Sequence, residues 1–335
     1  FNLFAFDADL ADPEQRIAVA EIKAVDSSEC SGIITELLDP SAASAGNLAV
    51  LVSATNVNLQ RPVRVTIDYP AIRRAMEEAI AKHGKGFVVV ALADATPIFQ
   101  VMLTQGGRSY AICDPAGAPL PHVPIAVVDD TEAVTKTVER LVHLAKFRSV
   151  ESLRAPDSEA AGKIKVALVN PPAPTDGRVV YRPGNTVTVR ITNNQTPGAM
   201  NDTMRILNVT ALDLAEDWSI TQIFPMDDAD FESIDPGLYT DIEFESYLPD
   251  GVNANSDRIK IFATRIATDF RWLQLPVLDE PAEPIVSTKR SAADPLAALH
   301  EQIVEDRVTT RSLRLVSKPK RTWTVDEVVI HVARE

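Results

Sequence analysis

The sequence predicts an α+β, mainly β chain built in series. The expected order is a small β-rich N-terminal unit, a small α+β unit, an antiparallel β-sandwich, and a C-terminal helix and strand extension. Three observations predict it. Short apolar stretches alternating with polar residues recur along the 335 residues, the period-two signature of half-buried strands. Only two stretches in the first half carry an apolar stripe at helical spacing. Turn signals, Asp-Pro-Gly at 235–237 and Pro-Asp-Gly at 249–251, punctuate the densest run of strands; there Pro presets φ and Gly accepts φ > 0. The expected units are 1–62, 63–155, 163–278 and 279–335. At 45% hydrophobic, a chain of this length can bury more than one core.

In the first unit, Ile17, Val19, Glu21 and Lys23 lie in a strand-like run, and 48–52 is apolar between Gly46 and Ser53. Residues 63–67 (VRVTI) alternate cleanly. Pro70 suits the first turn of a helix striped by Ile72, Ala75, Met76, Ala79 and Ile80, with Gly84 as its stop. Strands are expected at 87–92 and 109–113. A second helix is expected to start near Asp129 or Asp130, with Glu132 placed for a capping box and Val134, Val138, Leu141, Val142 and Ala145 on its buried face. That β-α-β-β-α order defines the α+β unit. The polar stretch 154–162 reads as a linker. Residues 163–169 begin the next strand, and Val187, Val189 and Ile191 share one face of a strictly alternating strand. Ile259, Ile261 and Ala263 alternate with Lys260, Phe262 and Thr264, which predicts a half-buried strand. The Pro- and charge-rich 280–293 is the strongest linker signal. Asp294 and Pro295 cap a helix to about 306, and 322–332 is a terminal strand.

Between 208 and 278 stand an LDL strand end at 212–214, Trp218 before the ITQIFP strand at 220–225, the Asp-Pro-Gly turn, IKIFAT at 259–264 and FRWLQLP at 270–276. The order of these pieces resembles the β-rich accessory domain that follows the catalytic domain in some bacterial and fungal caspase-like, metacaspase-related peptidases. YAICDPAGAPLP at 110–121, RLVHLAKF at 140–147 and WTVDEVVIHV at 323–332 are similar to other parts of the same architecture. The resemblance implies a non-catalytic region that scaffolds the peptidase or binds its activator or substrate.

That family's catalytic domain uses a His-Gly strand end and a Cys in a glycine-rich turn that offers N–H donors to the oxyanion. Here the His83-Gly84 pair follows a helix, and Cys113-Asp-Pro puts a residue without an N–H where a donor is needed. No catalytic residue is therefore assigned, and a small Cys buried at a strand end is the expected role of Cys113. No cofactor and no metal site is assigned either. Asp228, Asp230 and Glu232 lack the EF-hand glycine, and His122, His143, His300 and His331 have no zinc spacing.

A net charge of −14 disfavours nucleic acid and anionic membranes as partners. The longest apolar runs are too short to span a bilayer. Cys30 and Cys113 are the only cysteines, which favours a reducing, cytoplasmic compartment. The N-x-[ST] triplets at Asn194, Asn201 and Asn208 leave open a stand-alone extracellular β-rich binding protein. The opening residues, from Phe1, lack a basic start and a long apolar core and so do not read as a secretory signal. The absence of an initiating Met suits a proteolytic fragment or an engineered start equally. A third reading is a hydrolase using two acidic side chains of divergent pKa.

The partner is expected to be the catalytic caspase-like domain or another protein. Candidate contact residues are Asp235, Gly237 and Asp250 in the two turns, Arg271 between two aromatics, and Arg314, Lys318, Lys320 and Arg321 in a stretch without acids. Trp218, Phe270 and Trp272 are expected to cluster inside the sandwich.

Overall fold

The computed structural model describes residues 2–4, 15–25, 30–39, 48–50, 60–154, 160–174, 177–197, 205–226, 229–265, 268–280 and 323–334. Among these, the chain is mainly β with two α-helices. It divides into two compact units. The first holds the described residues up to 120 and 124–145; the second holds 121–123, 146–280 and 323–334. The linker, helix and basic stretch expected between 281 and 321 lie outside the described residues, as do 155–159 of the earlier linker.

The first unit opens with β1 (Asn2–Phe4), β2 (Arg16–Val25), β3 (Cys30–Leu37) and β4 (Leu48–Val50), an antiparallel sheet in the order β3-β2-β1-β4. Ile17 and Ala18 are buried in it, with Leu3 packed against them. A second sheet starts with β5 (Arg61–Thr66), where Val63 and Val65 are buried and Arg64 and Thr66 exposed, as the alternation requires. The helix α1 (Pro70–His83) then returns the chain to β6 (Val88–Val90), which lies parallel beside β5. β7 (Phe99–Thr104) runs parallel on the other side of β5, and β8 (Ser109–Cys113) and β9 (Ala126–Val127) add antiparallel strands. Every residue of β8 is buried. β6 is shorter than the apolar run 87–92 suggests, and Leu92 is exposed.

Of the stripe expected on α1, only Met76 and Ile80 are buried. Gly84 does cap this helix, for a different reason than a left-handed turn. Its φ is −68°, an ordinary helical value. A Cβ there would sit 2.5 Å from the Ile80 carbonyl oxygen and 2.6 Å from that of Val88, both backbone atoms. Gly84→Ala is therefore expected to cost about 2 kcal/mol through overpacking, read as a lowered urea midpoint; an unchanged midpoint would show that the α1–β6 turn can shift freely.

The second helix, α2 (Ala133–Glu151), starts later than expected. Asp130 Oδ1 accepts the Glu132 N–H at 3.0 Å, so Glu132 lies in the entry turn rather than three residues inside a capping box. Val134 is only half-buried, whereas Thr137, Arg140 and Leu144 join the buried positions. Arg140 is accommodated by donating to the Pro124 carbonyl at 2.8 Å.

The second unit carries β10 (Ile164–Val169), β11 (Val180–Tyr181), β12 (Thr186–Asn193), β13 (Leu207–Leu214) and β14 (Ile220–Phe224). It continues with β15 (Glu232–Ile234), β16 (Tyr239–Glu245), β17 (Ala254–Thr264) and β18 (Trp323–Ala333). One antiparallel sheet has the order β10-β12-β16. The other runs β11-β18-β17-β13-β14, with β15 also pairing β13. One hydrophobic core draws on both: Val187, Val189 and Ile191 from β12 and Ile242 from β16 join Leu207 and Val209 from β13, Ile259 and Ile261 from β17, and Ile330 from β18.

The alternation on β17 does not mark a solvent face. Lys260, Phe262 and Thr264 are as buried as the core-facing Ile259, Ile261 and Ala263. Phe262 stacks on Phe270, with ring centroids 4.7 Å apart, and lies 6.4 Å from Trp323. Of the aromatics expected to cluster inside the sandwich, Phe270 thus packs on the opposite face of β17, just before the 3-10 turn at Arg271–Leu273. Trp218 also stands apart from the shared core. It is buried, donates its indole N–H to the Pro121 carbonyl at 2.9 Å, and meets Phe147 edge-on at 5.1 Å.

Candidate functional site

Two groups of ionisable side chains stand out in the second unit. The first is a carboxyl pair. Along β13, Leu207, Val209 and Ala211 enter the core, and the next residue of that parity is Asp213. Along β17 the core-facing parity of Ala263, Ile261 and Ile259 continues to Asp257. Asp213 pairs with Ile259, so Asp257 is its diagonal neighbour on one sheet face. Burial, reinforced by the charges of Asp257 and Asp217, pushes Asp213 up to about 7. Burial, with Glu216 and Asp217 adding, raises Asp257 to about 6, although Asn255 Nδ2 donates to its Oδ1 at 3.2 Å and opposes the rise. Asp213 Oδ1 is buried and accepts no hydrogen bond among the described residues.

Neighbouring groups are already engaged. Glu216 Oε1 accepts the Ser256 N–H at 2.9 Å, and its Oε2 lies 3.6 Å from His122 Nε2. Ser256 Oγ lies 2.7 Å from His331 Nδ1. A carboxyl pair held partly protonated near neutrality can both take and give a proton.

The second group surrounds Lys260, which is 0% exposed. Its cross-strand partner is Glu327, whose Oε2 lies 3.3 Å from Nζ. Lys260 also donates to the Glu151 carbonyl at 2.6 Å. Glu327 Oε1 accepts from Arg154 and Arg258, each at 2.8 Å, and Arg148 pairs with the Glu151 carboxylate at 2.5 Å. Burial, then the Arg154 charge, depresses Lys260 to about 8 against the pull of Glu327. Burial alone would raise Glu327, but Lys260, Arg154 and Arg258 outweigh it and hold it low. Every charge here faces an opposite one, so the group ties the end of α2 to β17 and β18.

Among the described residues, the two turns expected to make contacts stand at opposite ends of β16. Asp235 and Gly237 form a tight turn before β16: the Leu238 N–H donates to the Asp235 carbonyl at 3.0 Å, and Gly237 has φ +78°. Asp250 lies in the turn after β16, whose carbonyls at Leu248, Pro249 and Val252 are gripped by Arg334. The seven residues of β16 separate the two turns by roughly 23 Å. Arg271 is paired with Asp230 and, at 2.9 Å, with Asp269. Glu232 Oε1 accepts from Thr240 at 3.3 Å. Arg314, Lys318, Lys320 and Arg321 lie outside the described residues, as do Asp228, His300 and the Trp272 side chain. Of the triplet asparagines, Asn194 is exposed, Asn208 lies in β13 with its Oδ1 accepting from Ser233, and Asn201 is outside the described residues.

Cys113 is buried at the end of β8. Burial, and then the neighbouring Asp114 charge, push its thiol up, the reverse of what a nucleophile needs. The turn after it is held by Asp114 Oδ1, which accepts from Ala116 and Ala118, each at 2.9 Å. Maleimide labelling of the native protein followed by peptide mapping is expected to leave Cys113 unmodified until denaturant is added; rapid native labelling would mark it as reactive. Among the described residues, no three His, Cys, Asp or Glu side chains are placed to share a metal ion, and no helix is long and apolar enough to cross a membrane. Among the described residues the folded chain is thus mainly β, in two units with two α-helices. No protein-family model, curated protein or solved structure matches it.

Proposed function

We propose that this chain is the non-catalytic accessory region of a caspase-like cysteine peptidase, acting in the cytoplasm by binding its catalytic domain, its activator or its substrate. In this reading the two sheets of the second unit close as an antiparallel β-sandwich. One observation carries the proposal. Four of the segments that resemble that family lie in one sheet, whereas those at 110–121 and 140–147 lie elsewhere: the LDL end lies in β13, the ITQIF strand is β14, IKIFAT ends β17, and WTVDEVVIHV is β18. These are hydrogen-bonded neighbours in one sheet, and Phe270 of FRWLQLP covers the same sheet through Phe262. The test is purification of the protein from cells expressing its complete reading frame, with mass spectrometry of everything retained. A caspase-type His-Cys domain in the same polypeptide or in a stable complex is the expected result; finding neither overturns the proposal.

A second reading, a hydrolase working through acidic side chains, is favoured by the Asp213–Asp257 pair. It predicts turnover of chromogenic glycosides or esters near pH 6 that Asp213→Asn abolishes. Turnover unaffected by that substitution removes the pair from consideration.

A further inference from the structure

The edges of the two sheets in the second unit are treated differently. On β10 the Val166 N–H is taken up by Asp326 Oδ2 at 2.9 Å. β14 is closed by Leu275, which exchanges backbone hydrogen bonds with Ile220 at 2.9 and 3.0 Å, and by Gln274, whose Oε1 accepts the Gln222 N–H at 3.1 Å. Among the described residues β16, the outer strand of the order β10-β12-β16, has no such cover. Just beyond its ends, the Leu238 carbonyl accepts the Asn193 N–H and the Ser246 N–H donates to the Asn185 carbonyl, each at 2.9 Å. Residues of that parity face β12, and in an antiparallel ladder the residues between them turn their N–H and C=O groups away. Those residues are Tyr239, Asp241, Glu243 and Glu245, and their outward backbone groups have no partner among the described residues.

β16 also lacks the usual devices that blunt an exposed edge. Its sequence, YTDIEFE, holds no Pro, Gly or Lys, and its register with β12 runs without a bulge. What it carries is acid. Asp241, Glu243 and Glu245 share the exposed face. Asp241 is paired with Arg190 at 2.6 Å, whereas Glu243 and Glu245 have no ion-pair partner among the described residues. Large side chains stand exposed at both ends of the strand: Leu238 (57%) and Tyr239 (55%) at one, Tyr247 (72%) at the other.

A second copy of the chain is a poor occupant. Antiparallel pairing of two β16 edges would set acid against acid, and like charges directly opposite one another destabilise a sheet. A basic strand meets the reverse condition. We infer that β16 is a docking edge for an extended segment of a basic protein partner, which joins the sheet as a further antiparallel strand with Lys or Arg beside Glu243 and Glu245. Main-chain hydrogen bonds hold such a strand and its alternate side chains give selectivity. The side chains on its other face cover the half-buried Phe244. The inference deepens the proposed binding role, on which it rests for its biological setting, by naming the surface and the chemistry of the partner.

The probe is a fluorescein-labelled peptide of alternating Lys and Val, as long as the 7 residues of β16, titrated with the full chain and followed by anisotropy. Saturable binding at or below about 1 mM is expected. Methylating the backbone nitrogens of its lysines removes the N–H donors that would face β16 but keeps the charge, and should abolish binding. Glu243→Lys is expected to weaken binding about tenfold, with Glu245→Lys as a second variant should the first lose the wild-type melting profile. Glu139→Lys makes the same change of charge at an exposed position of α2 and should leave binding unchanged. Absence of saturable binding overturns the docking edge. Binding that survives methylation, or that Glu139→Lys weakens as much, also overturns it, since either marks attraction to the net charge of −14. A dimer of the chain alone, seen by sedimentation and altered by Glu243→Lys, would make the occupant a second copy and overturn it too. The titration involves no cellular partner, so its failure is separate from a failure to find a caspase-type domain.

Discussion

Glu327→Ala is expected to destabilise the second unit by about 3–5 kcal/mol near pH 6, the usual cost of stranding a buried charge. The alanine would remove the one carboxylate on which Lys260, Arg154 and Arg258 converge. The arginines are half-exposed and can turn to water; Lys260, with no exposed surface, cannot. The Glu151 carbonyl would remain as its partner, which satisfies a hydrogen bond without cancelling a charge. The chain's three tryptophans, at 218, 272 and 323, all belong to this unit, so a urea melt followed by tryptophan fluorescence reports on it directly.

The pH dependence of that loss distinguishes a stranded charge from a simple cavity. The folded pKa of Lys260 already lies below the unfolded value, at about 8 against 10.5. Above pH 8 the unfolded chain binds the extra proton, so this residue contributes rising stability as the pH climbs toward 10.5. Without Glu327 the folded pKa falls further and the gain begins earlier. The deficit of Glu327→Ala should therefore shrink between pH 6 and pH 9.5. A deficit under about 1 kcal/mol at pH 6, the range of exposed pairs, would show that water reaches the lysine. Lys260→Met combined with Glu327→Met should recover much of the loss, because it removes the buried lysine charge together with its partner.

Lys260 also shows where local sequence stops being informative. A strand reading Ile-Lys-Ile-Phe-Ala-Thr alternates as though one face met solvent, and the rule behind that reading holds on β12, where Val187, Val189 and Ile191 are buried and the residues between them are not. On β17 the second face is closed by Phe270, by Trp323 and by Glu151, which lies 109 residues earlier in the chain. Nothing near residue 260 announces such distant cover. Gly84 is a milder case: its position at a helix end was legible, but the two carbonyls that forbid a side chain belong to the preceding helical turn and the following strand. The carboxyl pair had half a signal, since alternation from Leu207 and from Ala263 already turns Asp213 and Asp257 toward the core. That they are neighbours depends on the register pairing Asp213 with Ile259, which no local pattern specifies.

Asp213→Asn is expected to stabilise the second unit by about 2–4 kcal/mol at pH 8. Asparagine keeps the shape of the side chain and removes a charge that burial and Asp257 both oppose. The sign follows from the raised pKa. Between the unfolded value of 3.8 and the folded value of about 7, the folded chain holds a proton that the unfolded chain has lost. The contribution of this residue therefore falls as pH rises through that window, and the wild-type unit should gain stability from it when acidified from pH 8 to pH 5. Asp257, raised to about 6, acts in the same direction over a narrower range. Because the two groups are coupled, the slope belongs to the pair, and Asp213→Asn should flatten most of it while lowering the apparent pKa of Asp257. Urea melts of both proteins from pH 5 to pH 8.5 measure this. If the variant is less stable at pH 8 and the slope survives, the carboxylate has a compensating cation or bound water, and the pair is a satisfied structural contact. If the slope vanishes, the unit carries an intrinsic preference for mild acid, set by two residues at the end of its core.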